Sequence, residues 1–210
     1  MGGSSTKLEK AEEEDYKKLT FLTEKEIKIC YTKFSKLMSE QQQAELKSPE
    51  TSTINSQDFY ITISDLIEKL PELKQNPFAR RMCEVFSRNR DEMFFEDFLD
   101  MMSVLSENAP TQVKAEWAFR IFDEDGDGRL DKKDIARVVK KMTLEDDQEG
   151  DEEDARNDEK AKEREEQLNK VVTQVINETD INKSESISLV EFKQMVSKSH
   201  DFEVNFRIKL

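Results

Sequence analysis

The twelve residues DEDGDGRLDKKD, Asp123–Asp134, decide the fold. Acidic side chains stand at loop positions 1, 3 and 5 (Asp123, Asp125, Asp127) and glycine at position 6 (Gly128). Leu130 is the apolar residue at position 8, Asp131 stands at 9 and Asp134 at 12. A hard divalent cation takes about six to eight oxygens at about 2.3–2.6 Å, and alternate residues of a tight loop turn inward to provide them. Arg129, at position 7, offers its backbone carbonyl. Gly128 allows the sharp turn because it carries no Cβ. The spacing is that of an EF-hand calcium loop.

The flanks read as the two helices of such a hand. Ala115, Ala118, Phe119 and Phe122 recur at helical spacing before the loop, and Ile135, Val138, Val139 and Met142 after it. A second loop, DINKSESISLVE (Asp180–Glu191), follows. Its candidate ligands are Asp180, Asn182 and Ser184, the Ser186 carbonyl, Ser188 through water, and Glu191. Ile187 matches Leu130, so a short β-bridge between the two loops is expected. Glu185 occupies the glycine position, where left-handed backbone costs an L-residue about 1–2 kcal/mol. That and the fewer acids predict a weaker site. The first loop closes with Asp134, a methylene shorter than Glu. Six-fold coordination suits Mg²⁺, so Mg²⁺ is expected there at resting calcium, with exchange for Ca²⁺.

Upstream, residues 24–38 carry a helical face of Ile27, Cys30, Tyr31, Phe34 and Met38, and three further apolar faces follow up to Leu105. They make two more helix pairs whose loops lack alternating acids. Between Phe86 and Phe98 the spacing is one residue short, only Asn89 and Asp91 are plausible ligands, and Arg88 and Arg90 bring positive charge. The expected fold is therefore all-α, with four EF-hand-like helix-loop-helix units in two paired lobes and a C-terminal tail helix. The expected organisation is a tail over 1–20, a metal-free pair over 21–108, a metal-binding pair over 109–198 with an acidic insert at 145–166, and a tail over 199–210.

The chain has 210 residues and a formal charge of −14. Glu145–Glu166 holds thirteen acidic and four basic residues, a net −9, which leaves −5 elsewhere. Acidity is thus a local insert, read as a solvated spacer, and no basic stripe supports nucleic-acid binding. Cys30 and Cys83 lie in apolar helical patterns and are expected to be reduced thiols. No apolar run of about 18 residues spans a membrane, and no signal peptide is read. Met1-Gly2-Gly3-Ser4-Ser5-Thr6 matches the N-myristoylation pattern at Gly2. One acyl chain anchors only marginally, so a partner at the membrane is expected. The single histidine, His200, has no nucleophile beside it in any pattern, so catalysis is not expected.

Thirteen Phe and eight Met suit an adaptable groove for a partner helix. The groove is expected from Phe98, Met101, Met102 and Leu105 on one helix, Trp117 and Phe119 on the next, and Val139, Met142, Phe192 and Met195 beyond.

LPELKQNPFARRMCEVFS (Leu70–Ser87), FEDFLDMMSVLSENAP (Phe95–Pro110), AFRIFDEDGDG (Ala118–Gly128) and the ending DFEVNFRIKL (Asp201–Leu210) together resemble the calcium and integrin-binding protein family. SVLSENAP is nearer to the members that accompany transmembrane channel-like mechanotransduction channels. The resemblance covers nearly the whole chain except the acidic insert. It implies a myristoylated Ca²⁺/Mg²⁺-binding adaptor at the inner face of the plasma membrane. Such an adaptor clasps a cytoplasmic helix of a channel or an integrin α subunit. It also implies that a tail carrying Phe202, Phe206, Ile208 and Leu210 occupies the groove until a partner displaces it. The competing readings are a calcineurin B-like regulatory subunit of a phosphatase or kinase, and a calcium buffer. The buffer needs no groove.

Overall fold

Thr23 opens the first long helix with a reciprocal cap. Its hydroxyl accepts from the Glu26 N–H while the Glu26 carboxylate accepts from the Thr23 N–H at 2.6 Å. The computed structural model describes residues 8, 10–40, 42, 59–143, 155–199, 201–202 and 206–208. Gly2 and Leu210 lie outside them, as do most of the stretch from Gln41 to Asp58 and the first part of the acidic insert.

In chain order the elements are α1 (Lys10–Leu19), α2 (Glu24–Leu37), β1 (Tyr60–Thr62), α3 (Ile63–Lys69), α4 (Pro71–Lys74), α5 (Ala79–Phe86), β2 (Glu92–Phe94) and α6 (Phe95–Val104). Then come α7 (Thr111–Phe122), β3 (Arg129–Leu130), α8 (Lys132–Met142), α9 (Ala155–Thr179), β4 (Ile187–Ser188) and α10 (Leu189–Ser197). They form two compact units. One is Met1–Pro110 with Glu203–Leu210, the other Thr111–Phe202. The tail expected over 199–210 is thus divided, its last eight residues falling in the first unit. The tail is helical at 201–202 and irregular over 206–208. A backbone bond explains this: the Ile208 N–H leaves any helical ladder to donate to the Leu105 carbonyl at 3.0 Å.

Within each unit two helix-loop-helix hands meet through a short antiparallel ladder. Ile61 pairs with Met93 in the first unit, and Leu130 with Ile187 in the second. All four are 3% exposed or less, so each ladder is also a core contact. The four hands share one local frame. An apolar strand residue precedes the helix N-cap, and an acid stands three residues after the cap: Ile61-Thr62-Asp65, Met93-Phe94-Asp97, Leu130-Asp131-Asp134 and Ile187-Ser188-Glu191.

Phe95 is the hub of the first unit's core. Tyr16, Tyr31 and Phe34 meet its ring at centroid distances of 5.8, 5.4 and 5.5 Å, the first two nearly perpendicular. Edge-to-face pairs place the positive ring edge on the negative face, worth about 0.5–1.5 kcal/mol each beyond burial. Tyr16 belongs to α1, so residues 10–19, expected as plain tail, form a helix because an aromatic anchors them to this core. Cys30 and Cys83 are wholly buried free thiols, and burial pushes both up to about 12.

The acidic insert is partly helical. Its second part belongs to α9, and residues 161–166 are all exposed on that helix. No described helix is long and apolar enough to cross a membrane.

Candidate metal centre

Loop three brings three of its five acidic ligands together. Carboxylate oxygens of Asp123, Asp125 and Asp134 lie within 4.8 Å of one another. Helix α7 ends at Phe122 and delivers Asp123; helix α8 starts after Asp131 and delivers Asp134 from its first turn. Asp123 accepts the Gly126 and Gly128 N–H groups, each at 2.9 Å. Both glycines take left-handed torsions, φ 74 and 82. Asp131 caps α8, and Asp134 reaches back to the Asp131 N–H at 3.2 Å.

Burying like charges together without a cation is costly. Asp123 and Asp134 are 6% and 2% exposed. Burial, with Asp131 and Asp125 nearby, pushes the Asp134 carboxyl above the ordinary value despite the amide hydrogen bonds it accepts. For Asp131, burial raises the carboxyl but the hydrogen bonds from Asp134 and Lys133 outweigh it and hold the group low. Arg137 spans the rim, 3.3 Å from Asp134 and 3.1 Å from Glu124. An all-oxygen, acid-rich cluster of this kind fits a hard divalent cation. Asp127 lies on the same loop, with its carboxylate accepting the Arg129 N–H at 2.8 Å.

Loop four holds the same backbone course without glycine. Asp180 accepts the Ser184 and Glu185 N–H groups at 3.1 and 2.7 Å, loop positions 5 and 6, where Asp123 accepts from positions 4 and 6. Glu185 sits at φ 63, the left-handed conformation that its place in the sequence requires, and Lys183 at φ 60 repeats the strain two residues earlier. The second strained residue was missed in the sequence; its signal is the alignment of Lys183 with Gly126. Glu191 accepts from Ile181, Asn182 and Ser188 main-chain N–H groups and from the Ser188 hydroxyl. The Ser188 bonds above all hold its carboxyl down to about 2. Asn182 and Ser184 are exposed, and Ser186 is buried. Two carboxylates with hydroxyl and carbonyl oxygens fit the same kind of cation with less charge.

The second hand answers the same problem with an arginine. Asp97 stands where Asp134 and Glu191 stand, and is 2% exposed. Arg88 Nε lies 2.9 Å from its Oδ1, and the Arg88 and Phe94 N–H groups donate to Oδ2 at 3.5 and 3.4 Å. The guanidinium also bonds Glu96. Counting back from Asp97, Arg88 occupies position 3, the place of Asp125 and Asn182. Asn89 and Asp91, the two residues of that loop with ligand chemistry, are exposed, and the Asn89 amide bonds Glu92. The signal that finds Asp97 is the acid three residues beyond a strand.

The expected groove residues do not share one environment. Phe98, Met101, Met102 and Leu105 are 2% exposed or less, because α6 packs against α2 and α5 on its apolar side. They are core of the first unit and present no open groove. In the second unit Phe119 and Phe192 are buried edge to face at 5.7 Å, and Trp117 is half-buried under the Arg120 guanidinium at 4.8 Å. Val139 is half-buried, and Met142 and Met195 are exposed. Beside Met195 an open depression of about 330 Å³ is lined by Val175, Thr179 and Ile181. Phe202, Phe206 and Ile208 are half-buried.

An EF-hand domain pair matches residues 112–197. Over their full lengths, the chain is 32% identical to calcium and integrin-binding family member 2 of Drosophila melanogaster and 32% identical to that of Danio rerio. It is 31% identical to calcium and integrin-binding family member 3 of Homo sapiens, again end to end. The chain belongs to the calcium and integrin-binding family. The EF-hand pair and this membership imply calcium binding in the second unit.

Proposed function

We propose that this family member is a Ca²⁺/Mg²⁺-binding adaptor, or auxiliary subunit, that grips an amphipathic cytoplasmic helix of a membrane protein. The observation that carries the metal part is the convergence of Asp123, Asp125 and Asp134. Asp134 in place of Glu favours six oxygens, so loop three takes Mg²⁺ at resting calcium and Ca²⁺ on stimulation. Loop four is the weaker site.

For the partner, the relatives' name supports integrin binding, and the sequence likeness to channel-associated members supports a transmembrane channel-like subunit. The exposed Met142, Met195, Ile181 and Val190 offer apolar surface for such a helix. The tail covers part of the first unit: Ile208 bonds Leu105, and Arg207 pairs with Glu107 at 2.8 Å. In this reading a partner helix displaces the tail from the Leu105 carbonyl and from Glu107 and takes its place there. Myristoylation of Gly2 adds a weak anchor and places the protein at the inner face of the plasma membrane.

Calorimetric titration of a cytoplasmic integrin α or channel helix peptide tests this. Binding should occur in calcium and weaken in EGTA, and removal of Glu203–Leu210 should tighten it. A truncated chain that binds no better, or a full chain that binds neither peptide, refutes the corresponding half.

A further inference from the structure

Arg129 belongs to loop three by its backbone and to loop four by its side chain. Strand pairing sets Arg129 opposite Ser188. From there Nη1 reaches across the ladder and donates to the Ser186 hydroxyl at 3.0 Å and the Ser184 hydroxyl at 3.4 Å. Ser184 is the position-5 ligand of loop four, and Ser186 supplies the position-7 carbonyl. The Ser184 hydroxyl donates to that same carbonyl at 3.0 Å. The guanidinium therefore rests on two residues of the oxygen set that a metal ion in loop four needs. Lys132 repeats the pattern, its ammonium 3.6 Å from the Glu185 carboxylate. Two cations of hand three thus lie against a loop with only Asp180 and Glu191 as acidic ligands.

We propose that the Arg129 side chain is a built-in competitor for the cation of loop four. It holds Ser184 until the ion displaces it, and its charge lowers that loop's affinity. The inference rests on the metal-binding reading of the two hands given above. Position 7 contributes only a carbonyl to loop three, so the side chain is free to act on the neighbouring loop without altering its own site. Glu185 and Lys183 strain loop four, but Arg129 specifically repels an ion.

The test is calcium titration of the full chain and its Arg129→Gln and Arg129→Lys variants at fixed salt, followed by NMR. The Gly128 amide reports loop three and the Ile187 amide loop four. Arg129→Gln should tighten the Ile187 transition about three- to tenfold, the scale of one removed like charge at short range, and added salt should shrink the difference. Arg129→Lys keeps the charge and should stay near the parent. The Gly128 transition should hold its midpoint in all three proteins. An unchanged Ile187 midpoint in Arg129→Gln, an Ile187 amide silent in every protein, or equal tightening in both variants overturns the proposal. A Gly128 amide that ignores calcium in the parent instead overturns the metal-binding reading itself.

Discussion

Replacing Glu185 with glycine should stabilise the metal-free second unit, although it removes a side chain and an ion pair. Glu185 sits at φ 63, where Gly128 of loop three sits at φ 82. Left-handed backbone costs an L-residue about 1–2 kcal/mol, which glycine avoids. Glycine also loosens the unfolded chain, which returns about 0.4–1 kcal/mol. The Lys132–Glu185 pair is long, at 3.6 Å, with side chains 58% and 82% exposed, so its loss costs about 0–0.5 kcal/mol. The Glu185 N–H bond to Asp180 at 2.7 Å is main chain and survives. The net is a gain of about 0.5–1 kcal/mol, or roughly 1–4 °C in Tm for a chain of this size. Differential scanning calorimetry in EDTA measures it, with Glu185→Ala as the control. Alanine removes the charge but keeps the positive φ and should give no gain. An alanine variant as stable as the glycine one, or a glycine variant less stable than the parent, refutes backbone strain as the cause.

Other substitutions separate the metal sites from their scaffold. Arg88→Met leaves the buried Asp97 charge without its cation and should destabilise the first unit by about 1–3 kcal/mol in urea unfolding; Asp97→Asn in the same chain should recover part of it. Asp134→Asn should raise the Tm of the metal-free protein and shrink the further rise on adding calcium to what the weaker loop four supplies. The sign follows from the raised Asp134 carboxyl: folding favours its neutral form, so stability is lost as pH rises through the folded value, and a neutral amide removes that loss. Glu191 runs the other way. Its carboxyl is held at about 2, so its contribution is full above the ordinary Glu range of about 4.3 and is lost as pH falls towards 2; Glu191→Gln should flatten acid unfolding across that window, followed by far-UV circular dichroism. Phe95→Ala should destabilise the first unit by about 3–5 kcal/mol, since three aromatic rings meet at that position.

The parts of this fold that are legible in the sequence are those whose chemistry is local. Asp123–Asp134 announces its loop because ligand geometry fixes residue type at every second position. The Leu130–Ile187 ladder follows from the same count. Burial is less legible. Helical spacing says that Phe98, Met101, Met102 and Leu105 share a face, but not what covers it. Arg88 misleads because a cation in a metal loop reads as damage, whereas here its charge meets a buried acid. Asp97 hides for the same reason, since the alternating acids that normally lead to position 12 are missing. The helix α1 is obscured by its composition: among its ten residues KAEEEDYKKL, one tyrosine provides the anchor to Phe95.

The two native thiols open an experimental route. Cys30 and Cys83 are sealed in the first unit and pushed up to about 12, so at neutral pH neither presents an accessible thiolate. A cysteine placed at an exposed site such as Val190 should take a maleimide dye alone in the folded protein, with the wild-type pair left in place. Dye uptake by the parent chain then becomes a direct clock for opening of the first unit, and a bound helix that displaces the tail should change its rate.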